Sequence, residues 1–259
     1  MKMRKNRGKV YLVGAGPGEP GLLTVRGKEI LKIADVVIYD ALVSPKILKW
    51  AKAGCLKICA RKKRAKRVLT NRELRKLEQD FIYWTMREHA LKSKVIVRLK
   101  GGDPFLFGRG GEECEFLAGA GIPFEVVPGV SSVTAVPAYA GIPVTDRRHA
   151  STLTVITGHS DEGSEIDWKK ISRSGTLVVL MGAANLGRIA RKLKENLWPG
   201  STPMAVISSG TLPDQRVTSG TLASLPEKLK RLRTPLKHPA IIVIGNVVRL
   251  RRKIDWFKV

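Results

Sequence analysis

With 259 residues, 43% of them hydrophobic, the chain can bury one large core or two smaller ones. Lys and Arg total 47 against 22 acids, a formal net charge of +25 that draws in polyanions: nucleic acid, anionic membrane, or a small substrate bearing several carboxylates or phosphates. No apolar run reaches the length of a membrane span, and the basic N-terminus leads into a strand instead of a signal-peptide core. The excess charge is clustered, over residues 2–9 and again over 61–67. Cys55, Cys59 and Cys114 form no CxxC pair, which fits core thiols of a reducing cytoplasm better than a disulfide or zinc site.

In chain order, Val10–Val13 reads as a short strand, residues 22–33 as a helix, and Val36–Tyr39 as a second strand closed by Asp40. A helix follows Pro45, a third strand runs to about Cys59, and Asn71 opens a helix to about Leu91. Strand 94–99, helix 111–118, strand 124–127 and a small-residue helix near 131–139 come next. The pattern then restarts: strand 152–156, a helix near 167–171, strand 176–180, helix 184–195, strand 204–207, a segment at 215–219, helix 221–232 and strand 240–244. Alternation of this kind predicts an α/β protein with two α/β domains and mostly parallel sheets. The expected division is 1–140, a linker at 141–150, and 151–259. Ligands of such folds sit at strand C-terminal ends and between domains.

The segment from Leu99 to Gly111, LKGGDPFLFGRGG, is the most informative in the chain. A strand ending in consecutive glycines frees backbone groups and lets a ligand approach the main chain closely. Asp103 adds a carboxylate at the rim, and Phe105 and Phe107 add apolar walls, which suits a ligand with polar and apolar parts. Gly14-Ala15-Gly16-Pro17-Gly18 lacks the third glycine of a dinucleotide fingerprint, since Glu19 stands there and the prolines oppose a helix start. No GxxxxGK[ST] occurs either, so NAD, FAD and P-loop nucleotide chemistry are unsupported. His89, His149 and His238 show no metal-ligand spacing, and no metal is expected.

Several blocks in order carry a family resemblance: VGAGPG from Val13, GLLT from Gly21, ADVVIYDALV from Ala34, VRLKGGDPFLFGRGGEE from Val97, VPG from Val127, AGIPVT from Ala140 and TGH from Thr157. Together they resemble the tetrapyrrole methylase family over nearly the whole chain, about Val10 to Trp256, and within it the members that methylate uroporphyrinogen III. The resemblance implies a cleft between two α/β domains that binds S-adenosylmethionine, C-methylation of two pyrrole carbons to give precorrin-2 for sirohaem and cobalamin-type tetrapyrroles, and a cytoplasmic homodimer. It carries the methyl-donor contacts onto Pro17, Gly101, Gly102, Asp103, Leu106, Ser131, Ser132, Met181 and Gly210. It carries the proton acceptor onto Asp40 and the proton donor onto Lys62, with Lys63 the other candidate in that basic run.

Electron-rich pyrrole carbons can attack a sulfonium methyl without a strong base at that instant, so such an enzyme mainly aligns reactants and excludes water. Asp40, at a strand's C-terminal end, suits the handling of tautomerisation protons, or else the capping of the following turn. Arg109 could grip a substrate carboxylate through both guanidinium nitrogens. A nucleic-acid-binding protein would explain the charge but not the ordered glycine segments, and no RNP, KH or zinc-finger pattern is present. Neither nucleic acid nor membrane is expected as a partner.

Overall fold

The computed structural model describes residues 8–61, 71–92, 94–158, 166–231 and 236–257. Two compact units divide between Ser131 and Ser132. The first contains β1 (Lys9–Gly14), α1 (Val25–Ile33), β2 (Val36–Tyr39), α2 (Pro45–Leu48), β3 (Leu56–Cys59), α3 (Asn71–Leu91), β4 (Val95–Lys100), α4 (Gly110–Gly119) and β5 (Phe124–Val127). Its sheet, in the order β3-β2-β4-β1-β5, is parallel throughout, as the strand–helix alternation predicts. Alternate strand residues face opposite layers. Val13, Val37, Val97 and Leu99 pack with Ile30 and Leu31 of α1, whereas Leu12, Ile38 and Ile96 pack with Ile82 and Met86 of α3 and Leu117 of α4. Chain leaving β1 therefore goes to one face and chain leaving β4 to the other. These strands are neighbours, so a crevice opens at their C-terminal ends.

The second unit holds α5 (Ser132–Tyr139), β6 (Leu153–Thr157), β7 (Thr176–Leu180), α6 (Leu186–Glu195), β8 (Pro203–Ser208), β9 (Arg216–Thr221), α7 (Leu225–Arg231), β10 (Ala240–Ile244) and α8 (Arg251–Ile254). Its sheet runs β6-β7-β10-β8-β9 and is mixed, which corrects the expectation of a mostly parallel second sheet. Only β6 and β7 pair in parallel; β10 is antiparallel to both β7 and β8, and β9 is antiparallel to β8. The reversal enters at residues 209–215, a connection too short for the crossover a parallel partner requires.

The division lies earlier than the expected 141–150 because α5 packs with the second sheet. Val133, Val136 and Ala140 join one cluster with Val178, Ile207, Ile241 and Val243. Ile142, inside the expected linker, is fully buried in that cluster. The end of α5 is held by late residues: Arg251 Nη1 donates to the Ala140 carbonyl at 2.6 Å and Trp256 Nε1 to that of Ala138 at 2.9 Å. Tyr139 meets Trp256 and Phe257 edge-on. α6 and α7 cover the other face through Ile189, Leu193 and Leu225. No helix among the described residues is long and apolar enough to cross a membrane.

Candidate active site

The crevice of the first unit is made largely of main chain. Gly16 and Gly102 form an antiparallel bridge, Gly102 N donating to the Gly16 carbonyl at 2.8 Å and Gly16 N to that of Gly102 at 3.2 Å. This bridge brings the turn at Pro17 to the strand end at Gly101–Asp103. A Cβ on Gly14 would lie 2.5 Å from the Gly129 Cα, and one on Gly129 would lie 2.3 Å from the Gly102 oxygen. Three chain segments thus touch backbone to backbone, and nothing larger than glycine fits at either position. Gly101 differs. A Cβ there would meet only Leu42 Cβ, at an ordinary 3.6 Å, and neither its N–H nor its C=O has a partner among the described residues. Its side is open, with peptide groups available to an incoming ligand.

Asp103 is committed to its own loop: Oδ1 accepts from Phe105 N at 2.8 Å and Oδ2 from Gly129 N at 3.0 Å. Its carboxylate fastens the end of β4 to the end of β5, so a ligand meets its remaining lone pairs or its main chain. Phe105, Leu106 and Phe107 are exposed, which leaves an apolar rim in water. Arg109 is occupied as well. Its Nε and Nη2 grip Glu112 at 2.9 and 2.6 Å, the two-pronged contact that the sequence reading reserved for a substrate carboxylate. Its guanidinium is held in the charged form, first by that hydrogen bond.

Asp40 continues the ladder past β2, its N–H donating to the Leu99 carbonyl at 3.1 Å. The turn that follows is closed by its carbonyl, which accepts from Val43 N at 3.0 Å; among the described residues its side chain caps no turn. Instead Oδ1 accepts from Arg98 Nη2 at 2.6 Å, and Oδ2 has no partner among the described residues. Behind this pair lies a charge cluster that sequence reasoning missed. Arg98 Nε and Lys100 Nζ both donate to Glu113 Oε1, at 3.1 and 2.9 Å, and all three side chains are at most 3% exposed. Burial, and then the Arg98 charge, push the Lys100 ammonium below its ordinary pKa. Two cations at alternate positions of a strand, with acids in the first turn of the next helix, were the available signal.

In the second unit, Met181 and Gly210 follow the C-terminal ends of β7 and β8. A Cβ on Gly210 would lie 2.3 Å from Val136 Cγ1 of α5, so close packing alone demands glycine there. Met181 is 55% exposed. Met181, Ser209 and Thr211 hold positive φ, as do Phe107 and Arg109 in the first unit. Such backbone costs of order 1–3 kcal/mol each and gathers at functional sites. Ser131 and Ser132 are half-buried at the start of α5. Lys62 and Lys63, most of the 61–67 basic run and His159 lie outside the described residues. Among those described, no cluster of His, Cys, Asp or Glu could hold a metal ion.

Residues 9–226 match the model of the Tetrapyrrole (Corrin/Porphyrin) Methylases. The chain is 46% identical over 252 residues to an S-adenosyl-L-methionine-dependent uroporphyrinogen III methyltransferase of Methanosarcina barkeri, covering 96% of this chain and 95% of that one. It is 44% identical to a sirohaem synthase of Nitrosomonas europaea, covering 96% of this chain and 51% of the relative. The chain thus spans about half the length of the sirohaem synthases it matches. A uroporphyrin-III C-methyltransferase from Thermus thermophilus, solved with S-adenosylhomocysteine, superposes with a TM-score of 0.78 at 37% identity, covering 94% of this chain and all of that one. A cobalt precorrin-4 methyltransferase gives a TM-score of 0.77 at 26% identity, covering 93% and 95%. With a parallel first sheet, a glycine-built crevice at its strand ends and these matches along nearly its whole length, the chain belongs to the tetrapyrrole methylase family.

Proposed function

We propose that this protein transfers methyl groups from S-adenosylmethionine to two pyrrole carbons of uroporphyrinogen III, giving precorrin-2 for sirohaem and cobalamin-type tetrapyrroles. The observation that carries the reading is the main-chain crevice at Gly16–Pro17 and Gly101–Asp103, where the open side of Gly101 admits a donor that a side chain would exclude. The donor contacts are Pro17, Gly101, Gly102, Asp103, Leu106, Ser131, Ser132, Met181 and Gly210. The donor supplies an electrophilic methyl on sulfonium; the protein supplies alignment and exclusion of water. A pyrrole carbon that gains a methyl leaves positive charge on the ring system, which a proton loss relieves. Asp40 accepts that proton at its free Oδ2 while Arg98 holds Oδ1. Lys62 is the proton donor. Arg109 reaches a substrate carboxylate only by exchanging it for Glu112. The enzyme works as a cytoplasmic homodimer, and the basic surface steers the polycarboxylate substrate.

The test is incubation with uroporphyrinogen III and methyl-labelled donor, followed by mass analysis of the tetrapyrrole. Two labelled methyl groups per macrocycle are expected. Tight donor binding without tetrapyrrole turnover, together with salt-sensitive binding of RNA, would overturn the substrate assignment.

A further inference from the structure

Four charged side chains run from the interior of the first unit to its crevice. Glu113 is fully buried, Arg98 and Lys100 are nearly so, and Asp40 is the member that reaches solvent, at 33% exposure. Glu113 Oε1 takes a hydrogen bond from each cation, while Oε2 is buried without a partner among the described residues. Arg98 is fixed from three directions: by Glu113 at Nε, by the Leu99 carbonyl at Nη1 and by Asp40 at Nη2. Ions taken out of water are expensive, and apolar residues of similar volume usually stabilise a core at least as well. Stability alone therefore does not account for the cluster.

We propose that Glu113 is a positioning residue: through Arg98 it fixes the direction of the Asp40 carboxylate and balances the charge beside it. The inference rests on the reading of Asp40 as the proton acceptor. Without Glu113, two buried cations face one another on β4, and the guanidinium loses the anchor that aims Nη2 at Asp40. Lys100 serves as the counterweight: it shares Oε1 and keeps Glu113 from neutralising Arg98 completely. Around the cluster stand Tyr83 of α3, Arg109 at the entry to α4, and Glu112 and Cys114 of α4; Arg109 and Glu112 neutralise one another.

Glu113→Gln keeps the shape and removes the charge. Turnover is expected to fall by about tenfold or more, with donor KM unchanged and the acid limb of the kcat–pH profile moved to lower pH. Adding Lys100→Met removes one charge of the other sign and should restore most of the turnover and return the limb. Should Glu113→Gln not fold, Lys100→Met alone carries the test with opposite sign, moving the acid limb upward. Unchanged kcat and limb in these variants, or a loss matched by a fall in the folded fraction, overturns the proposal. Carbon NMR of the Asp40 carboxyl separates it from the reading beneath it. If Asp40→Asn turns over normally, the proton-acceptor role fails. If instead the Asp40 titration is the same in wild type and Glu113→Gln, it is the positioning link that fails.

Discussion

The central strands of the two sheets invite comparison, because β4 and β10 occupy the same place, third of five. β10, Ala-Ile-Ile-Val-Ile, is apolar and buried along its whole length. β4, Val-Ile-Val-Arg-Leu-Lys, is buried nearly as completely yet carries two cations on one face near its C-terminal end. β10 follows the logic of a core, in which apolar area removed from water is the main favourable term. β4 departs from it at the end that reaches the crevice. The difference teaches where the first sheet departs from the demands of a core, at the end where the proposed chemistry would take place.

Truncation separates the two strands most sharply. Ile242 is fully buried between α6 and the rest of its cluster, so Ile242→Ala should lower stability by about 2–5 kcal/mol. Turnover per folded molecule should stay normal, as denaturant unfolding paired with activity would read. A loss of turnover without a loss of stability would erase the contrast. Asp40→Asn should do the reverse: kcat falls roughly a hundredfold, the usual scale for losing a general base, while the melting temperature holds. Full activity at saturating substrate would leave alignment as the source of rate.

Gly101→Val sharpens the comparison at the end of β4. The added side chain meets only Leu42 within the protein, so the fold should tolerate it, and donor affinity measured by calorimetry should fall by about tenfold or more. Wild-type affinity would mean that nothing approaches that glycine. The smallest effect belongs to an ion pair at the surface. Asp146 accepts from Arg148, chiefly at the side chain, and titrates at about 2, down from 3.8. Its folded-state pKa is depressed, so its contribution to stability is present above pH 3.8 and fades as pH falls through about 2. Arg148→Ala should return the Asp146 titration by NMR toward its ordinary value, with little change in neutral-pH stability.

Much of the first unit is legible in the chain itself. Val10–Val13, Val36–Tyr39 and the glycines after Leu99 announce strands and an open, close-packed turn, because local pattern and tertiary packing agree there. Arg98 and Lys100 are not legible in that way. A charged residue in an apolar strand reads as an outward position, and only the packing of α4 onto β4 reveals Glu113 as their shared partner. Glu112 and Glu113 look alike in sequence, as first-turn acids suited to a helix N-terminus, yet one holds Arg109 in water and the other is fully buried. The mixed second sheet was within reach, since residues 209–215 are too few for a crossover. The place of β10 between β7 and β8 depends on which edges remain unpaired, and no local pattern encodes that.

The position of β10 also bears on the order in which the protein can be built. β7 and β8 share no ladder with each other; β10 alone joins them, and it comes last in chain order among the described strands of this unit. Until residue 244 has left the ribosome, the second unit can exist only as two pairs, β6–β7 and β8–β9, each with an apolar edge exposed. The carbonyls at the end of α5 wait longer still, for Arg251 and Trp256. By contrast, every strand of the first sheet is complete by residue 127. The first unit can therefore close during translation, whereas the second stays open to mispairing and chaperone capture until its final residues emerge.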